Sequence, residues 1–451
     1  MRLSWVQPDD LLRHGLVQAT AEGIDVSQLR STWLTAGGSL EPSAGGISPE
    51  PASPELLELA GRLLEKLDRL IAPYTVETDD LNTIRASWSP LPELGPVPTG
   101  EELYDRLHGA WLGRAAGCLL GKPVEKIPRR GIREILQAQG RWPLNYYFSG
   151  EGLPADVAER WPWNRASRST SLLDVIDGMP EDDDTNYSML ALSLLERYGP
   201  GFSSDDVATL WLAELPAART FTAERVAYRN LLEGLAPPET ARVRNPYREW
   251  IGAQIRTDLY GWTRPGQPYS AAELAWKDAR VSHTRNGIYG AMFAAAMGAA
   301  AMVASDVGKV LACGLAVIPT ESRLAQAVRL AIRIAEDESD FERGLDRLQE
   351  AYGDLHWVHS VNNAALAAFG LLAGSGDFEA SVCLTVSGGW DTDSNGATVG
   401  GVVGALNGAP RLPARWVEPL RNRIASSLCG FDGAQFDELA RRTAALVHAC
   451  R

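Results

Sequence analysis

Gly109-Ala110-Trp111-Leu112-Gly113-Arg114-Ala115-Ala116-Gly117-Cys118-Leu119-Leu120-Gly121 places a glycine at every fourth position. On an α-helix these glycines fall along one face, which is then almost bare backbone and admits another helix, or a ligand, at very close range. A capping box of Thr99 and Glu102, ahead of Leu103, Leu107 and Trp111, predicts where this helix starts. Small residues every four positions also occur in membrane helices, but Arg114 and the charged flanks weaken that reading. Farther along, Gly400, Gly401, Gly404 and Gly408 let a second helix approach its neighbours closely. Apolar periodicity predicts other helices over 187–198, 205–214, 288–303, 321–335, 361–372, 397–406 and 436–447. There is no run of alternating strands and no repeat of fixed period, so the predicted fold class is all-α, a bundle of many helices.

The 451 residues, 45% hydrophobic, can bury a sizeable core, and their number suggests one large domain with a smaller appendage. Residues 1–98 read as an N-terminal helical extension and 99–451 as the main domain, because Pro, Ser and Gly cluster at 40–54 and again at 89–100. Between those breaks Ser53-Pro54 starts a helix whose Leu56, Leu59, Leu63, Leu67 and Leu70 form one apolar stripe. That stripe needs a partner surface, expected on the main domain.

Lys+Arg 43 against Asp+Glu 57 gives a net charge of -14, which argues against a general binder of nucleic acids or anionic membranes; no local basic patch is visible. The five cysteines, Cys118, Cys313, Cys383, Cys429 and Cys450, are scattered and never in a CxxC spacing, which fits a reducing cytoplasm. The first ten residues lack the apolar core of a signal peptide. Residues 287–304 carry no charge and have the length of a membrane span, but Ala and Gly dominate them, so a helix buried among helices is expected.

Two acidic segments carry the chemistry. Glu181-Asp182-Asp183-Asp184-Thr185-Asn186-Tyr187 precedes an apolar helix. One or two carboxylates there would complement a helix dipole, but three aspartates in a row exceed what capping needs. They repel one another unless a cation sits among them, and hard oxygen donors suit magnesium or calcium. Ser387-Gly388-Gly389-Trp390-Asp391-Thr392-Asp393-Ser394-Asn395-Gly396 is the second. Its Asp-x-Asp-Ser reads as a loop entering a helix, since carboxylates at i and i+2 point the same way only on extended backbone. Asp and Ser are favoured caps as well as favoured ligands, so spacing alone leaves both readings open.

In order and context these segments resemble the ADP-ribosylglycohydrolase family. Its opening helix is similar to 109–121 running on into Lys122-Pro123-Val124-Glu125, its central signature to Asp182-Asp183-Asp184-Thr185, its Ser-His-Thr element to Ser282-His283-Thr284, and its closing motif to Asp391-Thr392-Asp393-Ser394. The resemblance covers roughly 105–425 and rests on four motifs in order. It implies an orthogonal multi-helix bundle and a magnesium-dependent glycohydrolase acting on an ADP-ribosyl or related ribosyl group. It also implies two Mg2+ ions, replaceable by Mn2+, on Asp182, Asp183, Asp184, Asp391, Asp393 and Ser394. Glu125, Asp184 and Asp391 are then the catalytic candidates, with the choice of general base open between Glu125 and a metal-ligating aspartate. His283, Gly388, Gly389 and Trp390 are assigned to the substrate, while His356 and His359 are left as structural.

Several departures from the family pattern bear on the substrate. Asp182 stands where Thr or Ser is common, Cys118 where many members have Asp, and Trp390 where many have Gly. Residues 245–262 do not clearly match the family's Gly-Asn-Gly element. Two rivals remain: a hydrolase of free N-ribosides, and a non-catalytic protein on the same fold.

Overall fold

The computed structural model describes residues 3–40, 50–71 and 77–449. Among these there is no β-strand, only isolated bridges such as Trp250 to His359, and the architecture is a many-helix bundle. The helices predicted from 187, 288 and 397 run over Asp183–Tyr198, Arg285–Ala301 and Thr392–Asn407. Each begins earlier than its apolar pattern, because the polar first turn belongs to the helix.

Two helices organise the rest. Gly100–Gly121 and Thr392–Asn407 run antiparallel and pack more extensively than any other pair among the described residues. Their glycines face each other: a Cβ on Gly113 would strike the Gly400 carbonyl, one on Gly117 the Gly396 carbonyl, and one on Gly109 the Gly404 carbonyl. Backbone touches backbone, as the spacing of four predicts. Thr392 Oγ1 donates to the Gly121 carbonyl at 2.8 Å, fixing the end of one helix to the start of the other. Arg285–Ala301 is buried along its whole length, with Gly261 against the backbone of Ala295. No helix among the described residues is long and apolar enough to cross a membrane.

Two local expectations are corrected. Thr99 is the N-cap of the glycine helix, but its side chain makes no capping hydrogen bond; Gly100, at φ 57°, turns the chain into the helix instead. The leucine stripe of Pro54–Ile71 packs chiefly on the Pro8–Ala21 helix of its own region, with Leu63 and Leu67 buried and Leu70 exposed. Gly15 makes room for Leu67 there.

Residues before 99 are tied to the rest by buried charge. Glu249, fully buried, receives Gln18 Nε2 at 2.8 Å and Asn286 Nδ2 at 3.2 Å, and forms ion pairs with Arg285 and Arg323. Glu22 takes Arg248 through both oxygens at 2.7 Å and Arg285 at 2.6 Å. Asp79 accepts the Arg285 N–H at 2.6 Å and Glu77 the Arg323 N–H at 2.9 Å, so the early segment supplies acceptors at the starts of two later helices.

Gly117→Val adds volume where backbone already touches backbone. Overpacking of this kind costs about 1–3 kcal/mol and occasionally more. The expected outcome is a clear drop in melting temperature with helical circular dichroism retained below the transition; an unchanged melting temperature would show the helices can part freely.

Candidate active site

The end of the glycine helix and the start of its partner open onto a cleft of about 1160 Å³. Asp182, Asp183 and Asp184 reach it from the start of Asp183–Tyr198, and Asp391, Asp393 and Ser394 from the start of Thr392–Asn407. Glu125 reaches it from the turn after the glycine helix. The two acidic segments, two hundred residues apart in sequence, therefore share one cavity.

Each side chain is positioned by identifiable contacts. Asp182 is an N-cap, with Oδ1 accepting the Asp184 N–H at 2.9 Å and Oδ2 paired to the Lys122 ammonium. Asp184 accepts Ser394 Oγ at 3.2 Å, and its carbonyl takes the fully buried Arg114 at 2.8 and 3.0 Å. Arg114 also pairs with Asp258. Asn363 Oδ1 receives the Asp391 N–H at 3.2 Å and Asn395 Nδ2 at 2.6 Å, holding the loop that enters the helix. Glu125 is held by Asn164 Nδ2 and by Lys126 Nζ at 3.3 Å.

Loss of water and mutual repulsion dominate the electrostatics. Burial, then the Asp182 charge, pushes Asp183 and Asp184 well above the usual carboxylate range. Burial and the Asp393 charge do the same to Asp391. Asp393 is pushed up to about 7 by burial and then by Glu125. Asp182 differs: burial pushes it up, but the Lys122 ammonium, with the hydrogen bond from the Asp184 N–H, holds it below its ordinary value. Burial would lower Lys122, yet Asp182 keeps it raised.

The residues fit a divalent cation. Asp393 Oδ1 is buried with no hydrogen-bond partner, an expensive state for a carboxylate oxygen unless a cation meets it. Ligand atoms of Asp182, Asp184 and Cys118 can also lie within 4.8 Å of one another. Cys118 thus sits beneath the carboxylates, with burial and then Asp182 raising its thiol.

Four residues assigned to the substrate lie outside the cleft wall. His283 is buried, with Nδ1 at 2.8 Å from Ser282 Oγ and 3.9 Å from Glu224 Oε1; burial and then Arg256 hold it well below its ordinary value. It stands behind Glu224, which does line the cleft. Arg256 links the two, donating to Glu224 at 2.6 Å and to Ser282 Oγ at 2.9 Å. Gly388 lies against Leu366 and Gly389 against the Arg129 backbone, so both serve close packing. Trp390 packs against the core at φ 58°, a left-handed conformation rare for a bulky residue and natural for glycine. His356 stacks on Trp250 at 4.1 Å and His359 lies 3.7 Å from Glu249.

Sequence reasoning missed Lys122, Arg114, Asn164 and Glu224. A charged residue inside a glycine-rich buried helix was a usable signal for Arg114. Glu224 sits in an ordinary amphipathic helix, Thr222–Leu232, and gave none. The cleft mouth carries Trp161, Trp163, Trp357 and Phe221 with Lys126, Arg165, Arg168 and Arg219.

With this geometry in place, the sequence can be set beside known proteins: the sequence model of the ADP-ribosylglycohydrolase family matches residues 99–451. The chain belongs to the ADP-ribosylglycohydrolase family. An uncharacterized protein of Archaeoglobus fulgidus is 26% identical to it over 324 residues, covering 71% of this chain and 93% of that protein. A solved structure described as an ADP-ribosylglycohydrolase-related protein complex is 21% identical, with a TM-score of 0.46, covering 78% of this chain and 99% of that one. Membership of that family makes it a glycoside-hydrolase-like enzyme.

Two outcomes follow from this geometry. In the metal-free protein Asp393 binds its proton more tightly folded, at about 7, than unfolded, near 3.8. Its contribution is therefore present at low pH and lost as pH rises through that window. Asp393→Asn should flatten the fall in stability between pH 4 and 7, read as melting temperature against pH in chelator; an identical slope in the variant would contradict this. Trp390→Ala should lose about 2 kcal/mol of stability, less than a fully buried Trp, while leaving the Michaelis constant unchanged. A raised Michaelis constant would return Trp390 to the substrate.

Proposed function

We propose that the protein is a divalent-cation-dependent glycohydrolase that cleaves the bond between an ADP-ribosyl or related ribosyl group and its acceptor. The observation that carries this reading is the convergence of Asp183, Asp184, Asp391 and Asp393 in one cleft, with Asp393 Oδ1 lacking any partner. A protein with no ligand to hold there has no reason to keep so costly a cluster, which weighs against the non-catalytic rival.

The oxygen-rich donor set of Asp183, Asp184, Asp391, Asp393 and Ser394 suits magnesium, with manganese as its substitute. When bound, the cation would neutralise the carboxylates and hold ribose hydroxyls, supplying the charge stabilisation of a Lewis acid. The chain's own residues do the rest. Carboxylate oxygens at the cleft floor stabilise positive charge developing at the anomeric carbon as the glycosidic bond breaks. Glu125 is the general base in this reading: Asn164 and Lys126 fix its carboxylate, and its side chain is 21% exposed, so water reaches it.

For the substrate, the cleft mouth favours a nucleotide-like group over a free riboside. Its indoles offer stacking faces and its arginines offer partners for phosphate, while the cleft is larger than a nucleoside needs.

The test compares hydrolysis of ADP-ribosylated peptide with that of free N-ribosides, by metal-stripped and magnesium-reloaded protein. Asp184→Asn and Asp391→Asn should each abolish turnover with the fold intact. Magnesium should raise the melting temperature by an amount corresponding to about 2–3 kcal/mol at a hundredfold excess over Kd. Retention of more than about a tenth of the activity in both variants, a loss under about 1.4 kcal/mol, would show that these carboxylates do not hold a catalytic cation.

A further inference from the structure

Resting on the cation-dependent reading, the cluster's own charges say how many ions it takes. Among the described residues its ion pairs are Lys122 with Asp182, Arg114 with Asp184, and Lys126 with Glu125. None reaches Asp183, Asp391 or Asp393. Lys122 and Asp182 are both buried, and Lys122 Nζ is anchored a second time by the Glu181 carbonyl at 3.2 Å. The ammonium is therefore held inside the cavity wall, not drifting at its mouth. Both oxygens of Asp182 are engaged, one by the ammonium and one by the Asp184 N–H. A divalent ion on the same carboxylate would stand beside a fixed positive charge in a site poor in water, where like charges repel strongly. Asp393, by contrast, keeps a buried oxygen with no partner.

We propose that the Lys122 ammonium occupies the role of one cation of a pair, so that the cluster takes a single divalent ion, centred on the carboxylates with no protein cation, Asp183, Asp391 and Asp393, with Asp184 and Ser394 completing the donor set. Asp182 then serves as the counter-charge of Lys122 and as a helix cap, and is not a metal ligand. This revises the two-ion expectation that family resemblance carries.

The experiment counts Mn2+ on the full-length, metal-stripped protein by titration calorimetry, and reads the electron paramagnetic resonance spectrum of the loaded sample. One equivalent per chain, with the six-line spectrum of an isolated ion, is expected. Two equivalents with a spin-coupled spectrum would overturn the inference and leave the cation reading standing. No binding would remove the cation reading, and this inference with it. Lys122→Met should admit a second ion, whereas Lys122→Arg should still bind one. The double variant Lys122→Met with Asp182→Ser removes both partners, so it leaves no uncompensated buried charge and keeps the count readable if the single variant misfolds. It too should bind two ions; a count of one in every folded variant lacking Lys122 would show that the ammonium does not limit the site.

Discussion

The contact on which the molecule depends is that of two backbones with nothing between them. Where Gly109, Gly113 and Gly117 meet Gly404, Gly400 and Gly396, register is set by sterics, because a shift along the axis would drive Cα atoms into carbonyls. The Thr392 to Gly121 hydrogen bond closes the same register at the cleft end. As a result Lys122 and Glu125, just past one helix, face Asp391 and Asp393, at the start of the other. The chemistry of the cavity is inherited from the packing of glycines a turn or more away.

That arrangement also explains how so many carboxylates coexist. Two helices, Asp183–Tyr198 and Thr392–Asn407, begin at the cavity, and the partial positive charge at each N-terminus favours anions there. Arg114 reaches from the glycine helix to the Asp184 carbonyl and to Asp258, so that three segments are tied at one buried guanidinium. Behind the opposite wall, Arg256 ties Glu224 to Asp278 and Ser282, and Glu224 is raised to about 7 by burial against the opposing pull of Arg256. The Ser-His-Thr element thus lies one layer behind the cavity surface, joined to it through an arginine and a glutamate.

What the sequence revealed followed from periodicity and from charge density. Glycine every four residues announced a helix in intimate contact, and three adjacent aspartates announced more than a cap. The choice of partner was not legible, because an apolar stripe says that a surface is needed and not which one: the leucines of Pro54–Ile71 found the neighbouring Pro8–Ala21 helix. Thr99 had the residue type of a cap but not the contact, since capping depends on a rotamer that sequence does not encode. Lys122 stands in plain view beside Gly121 and carries no signal of its own there, because its meaning comes from Asp182, sixty residues away. Trp390 showed the reverse problem: proximity to Asp391 suggested a pocket role, while the left-handed backbone turns the indole against the core.

The charge network around Glu249 and Glu22 bears on where this protein can be cut. The family match begins at residue 99, yet Arg248 has its two-oxygen partner at Glu22, and the helices starting at Arg285 and Arg323 take backbone acceptors from Asp79 and Glu77. A chain shortened to the match would strand a buried guanidinium and open two helix ends to solvent. Arg225 further holds Ser4 through its carbonyl and hydroxyl, and Ser4 and Trp5 form part of the cleft wall. Evolutionary bookkeeping and mechanical integrity draw their borders in different places, and the outer contour of the cavity is drawn partly by residues that the shared family pattern does not contain.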